Sequence, residues 1–266
     1  MNSLHRLAVV AAWLCAALTG CGGGSTQTAV AAQPAATSTP VSAAGFIDYG
    51  RVLTPTDFGR PGGSIIGDPT GVLLPDGRVR LFVYVEGQGV WRAVSTDAAG
   101  TALGVEGACV LIPDAVTNTM GTPWGEPRVV TIPGGLRMFY MQDRGIASAI
   151  STDHVTWRQE SGLRITAAQA GARATTTGSV VPLARGGYRM YFSELRDTPS
   201  DPATAMKSAT SPDQLAWTMD AGVRVGPGAP FVDQNATDPF AMTNADGSVT
   251  AWYFVQIASG SSFQGT

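Results

Sequence analysis

One order of local features occurs four times along this chain of 266 residues. Each copy has a short start, an apolar run, a turn that contains glycine, and a second run that is rich in aromatic residues. The starts lie at Asp68, Glu126, Gly178 and Asp238, and the turn glycines lie at Gly77, Gly135, Gly187 and Gly247. Both sets of landmarks are separated by 58, 52 and 60 residues, so two independent signals keep one register. A repeat of this length predicts similar units that stack on one another.

Each unit is predicted to hold four short β-strands. In the second copy these strands are Pro127–Ile132, Leu136–Gln142, Ile146–Ser151 and about Arg158–Ile165. A chain with 33 Gly, 17 Pro and only 14% charged residues also favours an all-β domain. A four-stranded antiparallel sheet with two apolar faces must be covered on both sides, and radial stacking covers them. The sequence therefore predicts a β-propeller of four-stranded blades over residues 44–266.

A second motif recurs at the blade period. Ser151–Trp157 and Ser211–Trp217 both follow the pattern Ser-x-Asp-x-x-x-Trp, and Ser95–Asp97 keeps its first half. The Asp carboxylate can accept hydrogen bonds from backbone N–H groups two residues on, and the Trp can pack between blades. We interpret these turns as structural, with His154 as an exposed turn residue.

These features together resemble the five-bladed propeller glycosidases of the arabinanase, fructosidase and levansucrase type. Sialidases are the second choice, because their Asp boxes have one more residue before the Trp. The resemblance covers about residues 45–266 and implies a five-bladed propeller, of which four repeats are visible and the last part is incomplete. A four-bladed ring is the alternative. We expect Phe46–Leu53 to complete the last blade as its outermost strand.

In that superfamily, three carboxylates from the starts of the inner strands meet at the central channel. The resemblance implies that Asp68 is the nucleophile or base, and that Glu126 is an acid that orients substrate and tunes pKa values. A third acid should fall near Gly178, where the sequence has three threonines and glycine instead. Asp238 adds an acid outside the family pattern. We expect burial to raise the pKa of Glu126.

The candidate catalytic residues are therefore Asp68, Glu126 and Asp238. Trp124 is a candidate platform for sugar stacking, and Arg128 and Arg173 are candidates to offset the negative charge. An acid before proline also suits the entrance of a strand, so a turn role alone explains the recurrence equally well. Three functions stay open at this point: a glycoside hydrolase, a non-catalytic glycan-binding propeller, and a scaffold for protein partners.

Composition excludes other classes. A net charge of −3 gives no basic surface for nucleic acid. Two histidines and no paired cysteine spacing argue against a zinc site, and nothing in the sequence predicts a cofactor. Cys109 lies in an apolar run and is predicted to be a buried, inert thiol. We expect a monomer that binds carbohydrate.

The N-terminus predicts a bacterial lipoprotein. Residues 1–20 have Arg6 before a short apolar run, Leu7–Leu18, and Leu18-Thr-Gly-Cys21 resembles a lipobox in which Cys21 carries the lipid. An ordinary secretory signal with a chance cysteine is the alternative. Residues 21–43 then form a disordered tether, since they have no charge and few large apolar side chains. We expect a lipid anchor in the cell envelope, on the outer membrane or the cell surface.

Overall fold

The computed structural model describes residues 41–43, 46–48, 50–118, 125–196, 204–226, 235–257 and 260–265. The chain divides into two units, residues 1–48 and residues 49–266. In the first unit, strand β1 (Val41–Ala43) pairs antiparallel with β2 (Phe46–Asp48). Cys21, the predicted signal segment and most of the predicted tether lie outside the described residues.

The second unit begins with a 3-10 helix, Pro55–Phe58, and continues with blades 1 and 2. Blade 1 is an antiparallel sheet of β3 (Ile66–Leu73), β4 (Val79–Val85), β5 (Gly89–Ser95) and β6 (Leu103–Ala108). Blade 2 contains β8 (Gly125–Ile132), β9 (Gly135–Gln142), β10 (Gly145–Ser151) and β11 (Thr156–Gln159). Strand β7 (Val110–Ile112) adds to the outer edge of blade 2, where it runs parallel to β11.

Helix α1 (Ala167–Ala170) connects blade 2 to blade 3. The innermost strand of blade 3 has two pieces, β12 (Ala174–Thr175) and β13 (Ser179–Pro182), followed by β14 (Tyr188–Leu195), β15 (Thr204–Ser211) and β16 (Thr218–Met219). Blade 4 contains β17 (Asn235–Thr243), β18 (Val249–Ile257) and β19 (Gly260–Gly265). The predicted all-β architecture of antiparallel, four-stranded repeats is confirmed.

Two predicted boundaries were wrong. The fourth strand of blade 2 ends at Gln159, and Ile165 returns to Ile146 only as an isolated bridge. Phe46–Asp48 pairs with Val41–Ala43, whereas Leu53 packs against the cluster of Phe58, Val83 and Val85, so Phe46–Leu53 is not one strand. A short apolar segment is able to pair with more than one strand, so tertiary contacts decide which pairing forms.

The Ser-x-Asp turns have the predicted structural role. Asp153 Oδ1 accepts hydrogen bonds from the backbone N–H groups of Val155 (2.8 Å) and Thr156 (2.7 Å), and Asp213 repeats this arrangement one blade later. These bonds hold the pKa of Asp153 at about 2. Each turn thus fixes the start of the outermost segment of its blade.

The tryptophans that follow these turns pack between blades. Trp157 is fully buried and meets Phe82 of blade 1 edge to face, with ring centroids 5.4 Å apart. Trp217 meets Phe139 of blade 2 in the same way at 6.0 Å. Aromatic pairs of this geometry stabilise the interface beyond the area that they bury. The core therefore lies between successive blades.

Arginines at the matching position of the second strand add polar connections. Arg137 forms a two-pronged ion pair with Glu160 of its own blade and donates to the backbone carbonyl of Asp213 in blade 3. Arg80 forms the same kind of pair with Glu106 and lies 2.8 Å from His154 Nδ1. His154 is therefore half-buried and not the exposed residue we predicted. Its burial and the Arg80 charge lower its pKa.

Two further observations concern Cys109 and the length of the helices. Cys109 is buried as predicted, and burial raises the pKa of its thiol to about 12. Across the residues that the structure describes, no helix has the length and apolarity needed to cross a membrane.

Candidate active site

The three acids that precede proline occupy one structural position in three blades. Asp68, Glu126 and Asp238 each lie where the pairing of the innermost strand with the second strand slips by one residue. Such a slip is a β-bulge, which bends the strand and redirects a side chain. The repeated acid–Pro step is therefore a repeated bulge, one at the start of each of these inner strands.

All three acids have a left-handed backbone. Their φ angles are 54° at Asp68, 50° at Glu126 and 53° at Asp238. A residue other than glycine in this region costs of order 1–3 kcal/mol, and such residues are concentrated at functional sites. Strain of this kind at the same position in three blades favours a functional role over a simple strand entrance.

The charges of the three acids act on one another. The pKa of Glu126 is raised to about 8, mainly by burial and then by the negative charges of Asp68 and Asp238. Burial also raises the pKa of Asp68. The expected rise of the Glu126 pKa by burial is confirmed. A carboxyl group with this pKa keeps its proton at neutral pH and is able to act as a proton donor.

Asp238 differs from the other two acids in its exposure. Its side chain keeps an exposed side, whereas Asp68 and Glu126 are half-buried. The surrounding protein still removes enough water to raise the pKa of Asp238, and the charge of Asp68 raises it further. Its backbone N–H donates to Ser193 Oγ at 3.1 Å, which ties the bulge of blade 4 to blade 3.

Arg128 is the cation that acts on all three acids, since its charge lowers the pKa of each. Its guanidinium group donates to the backbone carbonyls of Asp68 (3.3 Å) and Pro127 (2.9 Å). A second contact between the same blades joins the N–H of Val129 to Thr70 Oγ1 at 3.1 Å. The bulges of blades 1 and 2 are thus held together directly.

Blade 3 has a bulge as well, and its register corrects the sequence alignment. Thr175 pairs with Glu194 and Ser179 pairs with Tyr191, so three residues of the inner strand face two of the second strand. In blades 1, 2 and 4, the acid lies two residues before the first inner-strand residue that pairs with the second strand after the bulge. The residue at this position in blade 3 is Thr177. Gly178 therefore takes the place of the proline. The turn of blade 3 has five residues, like the turns of blades 1 and 4, and the glycine that matches Gly77 and Gly247 in it is Gly186. Aligning on Gly187 instead shifted the alignment by one residue.

Gly178 allows the inner strand to lie very close to its neighbour. A Cβ atom at this position would lie 1.4 Å from the carbonyl oxygen of Tyr191. No side chain fits there without a shift of the backbone. The third acid of the family pattern is thus absent at Gly178, and the structurally matching residue is a threonine.

Thr177 is completely buried and contacts Glu126 through its backbone N–H and its hydroxyl group. Its backbone N–H donates to Glu126 Oε2 at 3.1 Å, and its hydroxyl donates to the backbone carbonyl of Glu126. Sequence reasoning missed this residue. The run of three threonines beside the expected acid was the signal that would have pointed to it.

Comparison with known proteins identifies the fold of this chain. No family model and no curated protein sequence matches the chain. Among solved structures, a thermostable family-43 glycoside hydrolase is similar with a TM-score of 0.57 and 16% identity over 74% of this chain and 65% of that one. A putative glycosidase from Bacteroides thetaiotaomicron gives 0.55 and 21% over 76% and 65%. The chain has the fold of the propeller glycoside hydrolases.

A third similar structure comes from a different glycoside hydrolase family. A family-32 β-fructofuranosidase from Bombyx mori is similar with a TM-score of 0.51 and 10% identity, over 75% of this chain and 45% of that one. The chain thus spans 65% of the length of the first two structures and less than half of the third. The β-propeller fold expected from the sequence is confirmed.

Trp124 and Arg173 are the remaining residues that the sequence predicted for this site. Trp124 lies outside the described residues. Arg173 is exposed just before β12, and its backbone N–H donates to the carbonyl of Leu195. Within the ranges that the structure describes, no group of three or more His, Cys, Asp or Glu is arranged to hold a metal ion. The structural core of the site is therefore Asp68, Glu126, Asp238, Arg128 and Thr177.

Proposed function

We propose that this domain is a glycoside hydrolase in which Glu126 is the general acid and Asp68 is the nucleophile or base. The observation that carries the proposal is the coupling of two bulge carboxyls with different environments. Glu126 has a pKa of about 8 because of burial and two negative neighbours, so it holds a proton at neutral pH. Two carboxyl groups, one protonated and one ionised, are what glycosidic bond cleavage requires.

The reaction then follows from these roles. Glu126 donates its proton to the glycosidic oxygen as the bond to the anomeric carbon breaks, and the bonding electrons stay on that oxygen. Asp68 either attacks the anomeric carbon or takes a proton from the water that attacks it. Water supplies the new hydroxyl group of the released sugar. The negative charge of Asp238 favours the protonated form of Glu126 before each turnover, because it raises the Glu126 pKa.

Glycan hydrolysis by the full chain tests this proposal. Arabinan, a fructan and a sialic-acid polymer are incubated with the parent protein, and the release of reducing sugar is measured. The matched control is the double variant Asp68→Asn/Glu126→Gln, which keeps the shape of both side chains. Activity in the parent that disappears in the double variant supports the proposal. Equal activity in the two proteins would show that these residues are not catalytic.

A non-catalytic glycan-binding propeller is the second candidate. One observation favours it: blade 3 has Thr177 in the acid position and no space for a side chain at Gly178. Binding of the same glycans without turnover, measured by calorimetry, would support this function. A scaffold for protein partners has no specific observation in its favour.

We also propose that the protein is attached to the cell envelope through a lipid on Cys21. The support is the sequence Leu18-Thr-Gly-Cys21 after a short apolar run. A lipid anchor on a tether of residues 21–43 would hold the domain near extracellular glycans. The expected monomer also remains a proposal.

A further inference from the structure

Thr177 holds Glu126 from two directions. Its backbone N–H donates to Oε2 of the carboxyl group at 3.1 Å, and its hydroxyl group donates to the backbone carbonyl of the same residue. The threonine is fully buried, so water does not compete for these bonds. It lies at the register position where the other three blades have their acids.

We propose that Thr177 is a positioning residue that fixes which oxygen of Glu126 carries the transferable proton. The inference rests on the proposed function, since it specifies how the general acid is oriented. An oxygen that accepts an N–H hydrogen bond is the carbonyl-type oxygen of a neutral carboxyl group. Because Oε2 accepts from Thr177, the proton of the neutral form resides on Oε1.

The hydroxyl group has a separate task. Glu126 has a φ of 50°, a conformation that persists only when its surroundings enforce it. The bond from the Thr177 hydroxyl to the carbonyl of Glu126 acts directly on this strained peptide unit. Without it, the backbone is free to relax towards negative φ and to carry the carboxyl group out of place.

The proton transfer follows from this arrangement. The Oε1–H bond of Glu126 breaks while a new O–H bond forms on the glycosidic oxygen, and the charge left behind is shared by both carboxylate oxygens. The N–H of Thr177 already faces Oε2, so it stabilises this charge without rearrangement. Thr177 touches only Glu126 in this scheme and acts through it.

Four variants of the full chain test the proposal. Thr177→Val removes the hydroxyl group at similar volume, Thr177→Ala removes it without a γ-branch, and Thr177→Ser keeps it. Thr175→Val is the matched control, because Thr175 is also fully buried and its hydroxyl has no hydrogen-bond partner among the described residues. The readout is the titration of the Glu126 side chain by carbon-13 NMR, with the signal assigned by its loss in Glu126→Gln.

We expect Thr177→Val and Thr177→Ala to raise the Glu126 titration midpoint by about 0.5–1 pH unit, because a loosened N–H contact no longer favours the ionised form. Thr177→Ser and Thr175→Val should match the parent. For any oligosaccharide that the parent hydrolyses, whose sugar leaving group needs the proton from Glu126, kcat should fall roughly tenfold or more in Thr177→Val with KM changed less than about threefold, and Thr177→Ser should restore it.

The outcomes separate this inference from the proposed function. If the titration of Thr177→Val and Thr177→Ala equals that of Thr175→Val, Thr177 does not position Glu126 and the inference is wrong. If the parent hydrolyses no probe, the hydrolase proposal fails, while the titration still decides whether Thr177 controls the Glu126 carboxyl group.

Discussion

The guanidinium group of Arg128 on blade 2 lies 3.3 Å from the backbone carbonyl oxygen of Asp68 on blade 1. This contact keeps one positive charge beside a group of three acids that lie far apart in the sequence. In the state that the proposed mechanism uses, Glu126 is protonated and Asp68 and Asp238 are ionised, so the two aspartates outweigh Arg128 by one negative charge. That state disfavours an anionic sugar.

Neutral glycans should bind better than sialic-acid glycans. One unit of like charge at ~8 Å and an effective dielectric constant of ~20 costs about 2 kcal/mol, which corresponds to more than tenfold in affinity. Calorimetric titration of a neutral pentose oligosaccharide and a sialylated one measures the difference. The difference in affinity between the two glycans should decrease in high salt, because salt screens charge. Tighter binding of the sialylated glycan would contradict the charge assignment.

Activity should have a bell-shaped pH dependence. The alkaline limb should fall near pH 8, where Glu126 loses its proton, and the acidic limb should lie above the usual range of an aspartate, because burial raises the pKa of Asp68. Glu126→Gln and Asp68→Asn should each lower kcat/KM at least about a hundredfold. Initial rates from pH 3 to 10 measure both effects.

The control for these rates is Asp76→Asn, which changes an exposed acid in the β3–β4 turn. It should keep the parent rate and pH profile. A rate loss in this variant as large as that in Asp68→Asn would mean that any removed acid impairs the fold.

Stability should fall as the pH rises through the titration range of Glu126. Its pKa is about 8 in the folded protein and near 4.5 in the unfolded chain, so the folded state binds more protons between these values. Glu126→Gln removes this titration. The full pKa shift corresponds to a maximum of ~5 kcal/mol in the free energy of unfolding. Because Glu126 is only half-buried, we expect the free energy of unfolding of the variant, relative to that of the parent, to rise by about 2–3 kcal/mol between pH 5 and pH 9.

Urea unfolding at the two pH values measures this gain. Asp76→Asn again serves as the control: the pKa of Asp76 is lowered, so its titration lies below pH 5 and its effect should be the same at both values. A constant difference between Glu126→Gln and the parent would refute the raised pKa.

Arg137 should contribute strongly to stability. Arg137→Met leaves the carboxylate of Glu160 without its ion-pair partner in a site where both side chains are largely buried, at 10% and 17% exposure. We expect a loss of about 2–4 kcal/mol by urea unfolding, with partial recovery in Arg137→Met/Glu160→Met. Arg78→Met breaks an exposed pair with Asp76 and should cost less than about 0.5 kcal/mol. Equal losses in the two single variants would exclude a special role for the buried pair.

The mature protein should begin at a lipid-modified Cys21. Expression in a bacterial host should place the parent in the membrane fraction, with an intact mass that includes acyl chains. Cys21→Ser should remove that mass and release the protein into the soluble fraction. Cys15→Ser is the control, because Cys15 leaves with the signal peptide. A lipid mass that persists in Cys21→Ser would rule out this anchor.

The sequence by itself determined the repeat, the antiparallel blades and the structural turns. Glycine, proline and short polar side chains fix local backbone geometry without help from distant residues, so Asp153, Asp213 and the strand pairs of blade 2 could be predicted. The acids Asp68, Glu126 and Asp238 were found for the same reason, since each is marked by the proline that follows it.

Only the tertiary structure decided what those acids do to one another. The contact of Arg128 with Asp68 joins residues 60 positions apart, and the pKa of Glu126 is raised by acids 58 and 112 positions away. No local signal encodes the separation or burial of these residues. The tertiary structure also decided the register of blade 3. Counting from the turn placed Gly178 at the position of the acids, whereas the pairing of the strands places Thr177 there. Two adjacent glycines, Gly186 and Gly187, leave a sequence alignment uncertain by one residue, but the pairing of two strands leaves one residue opposite each partner.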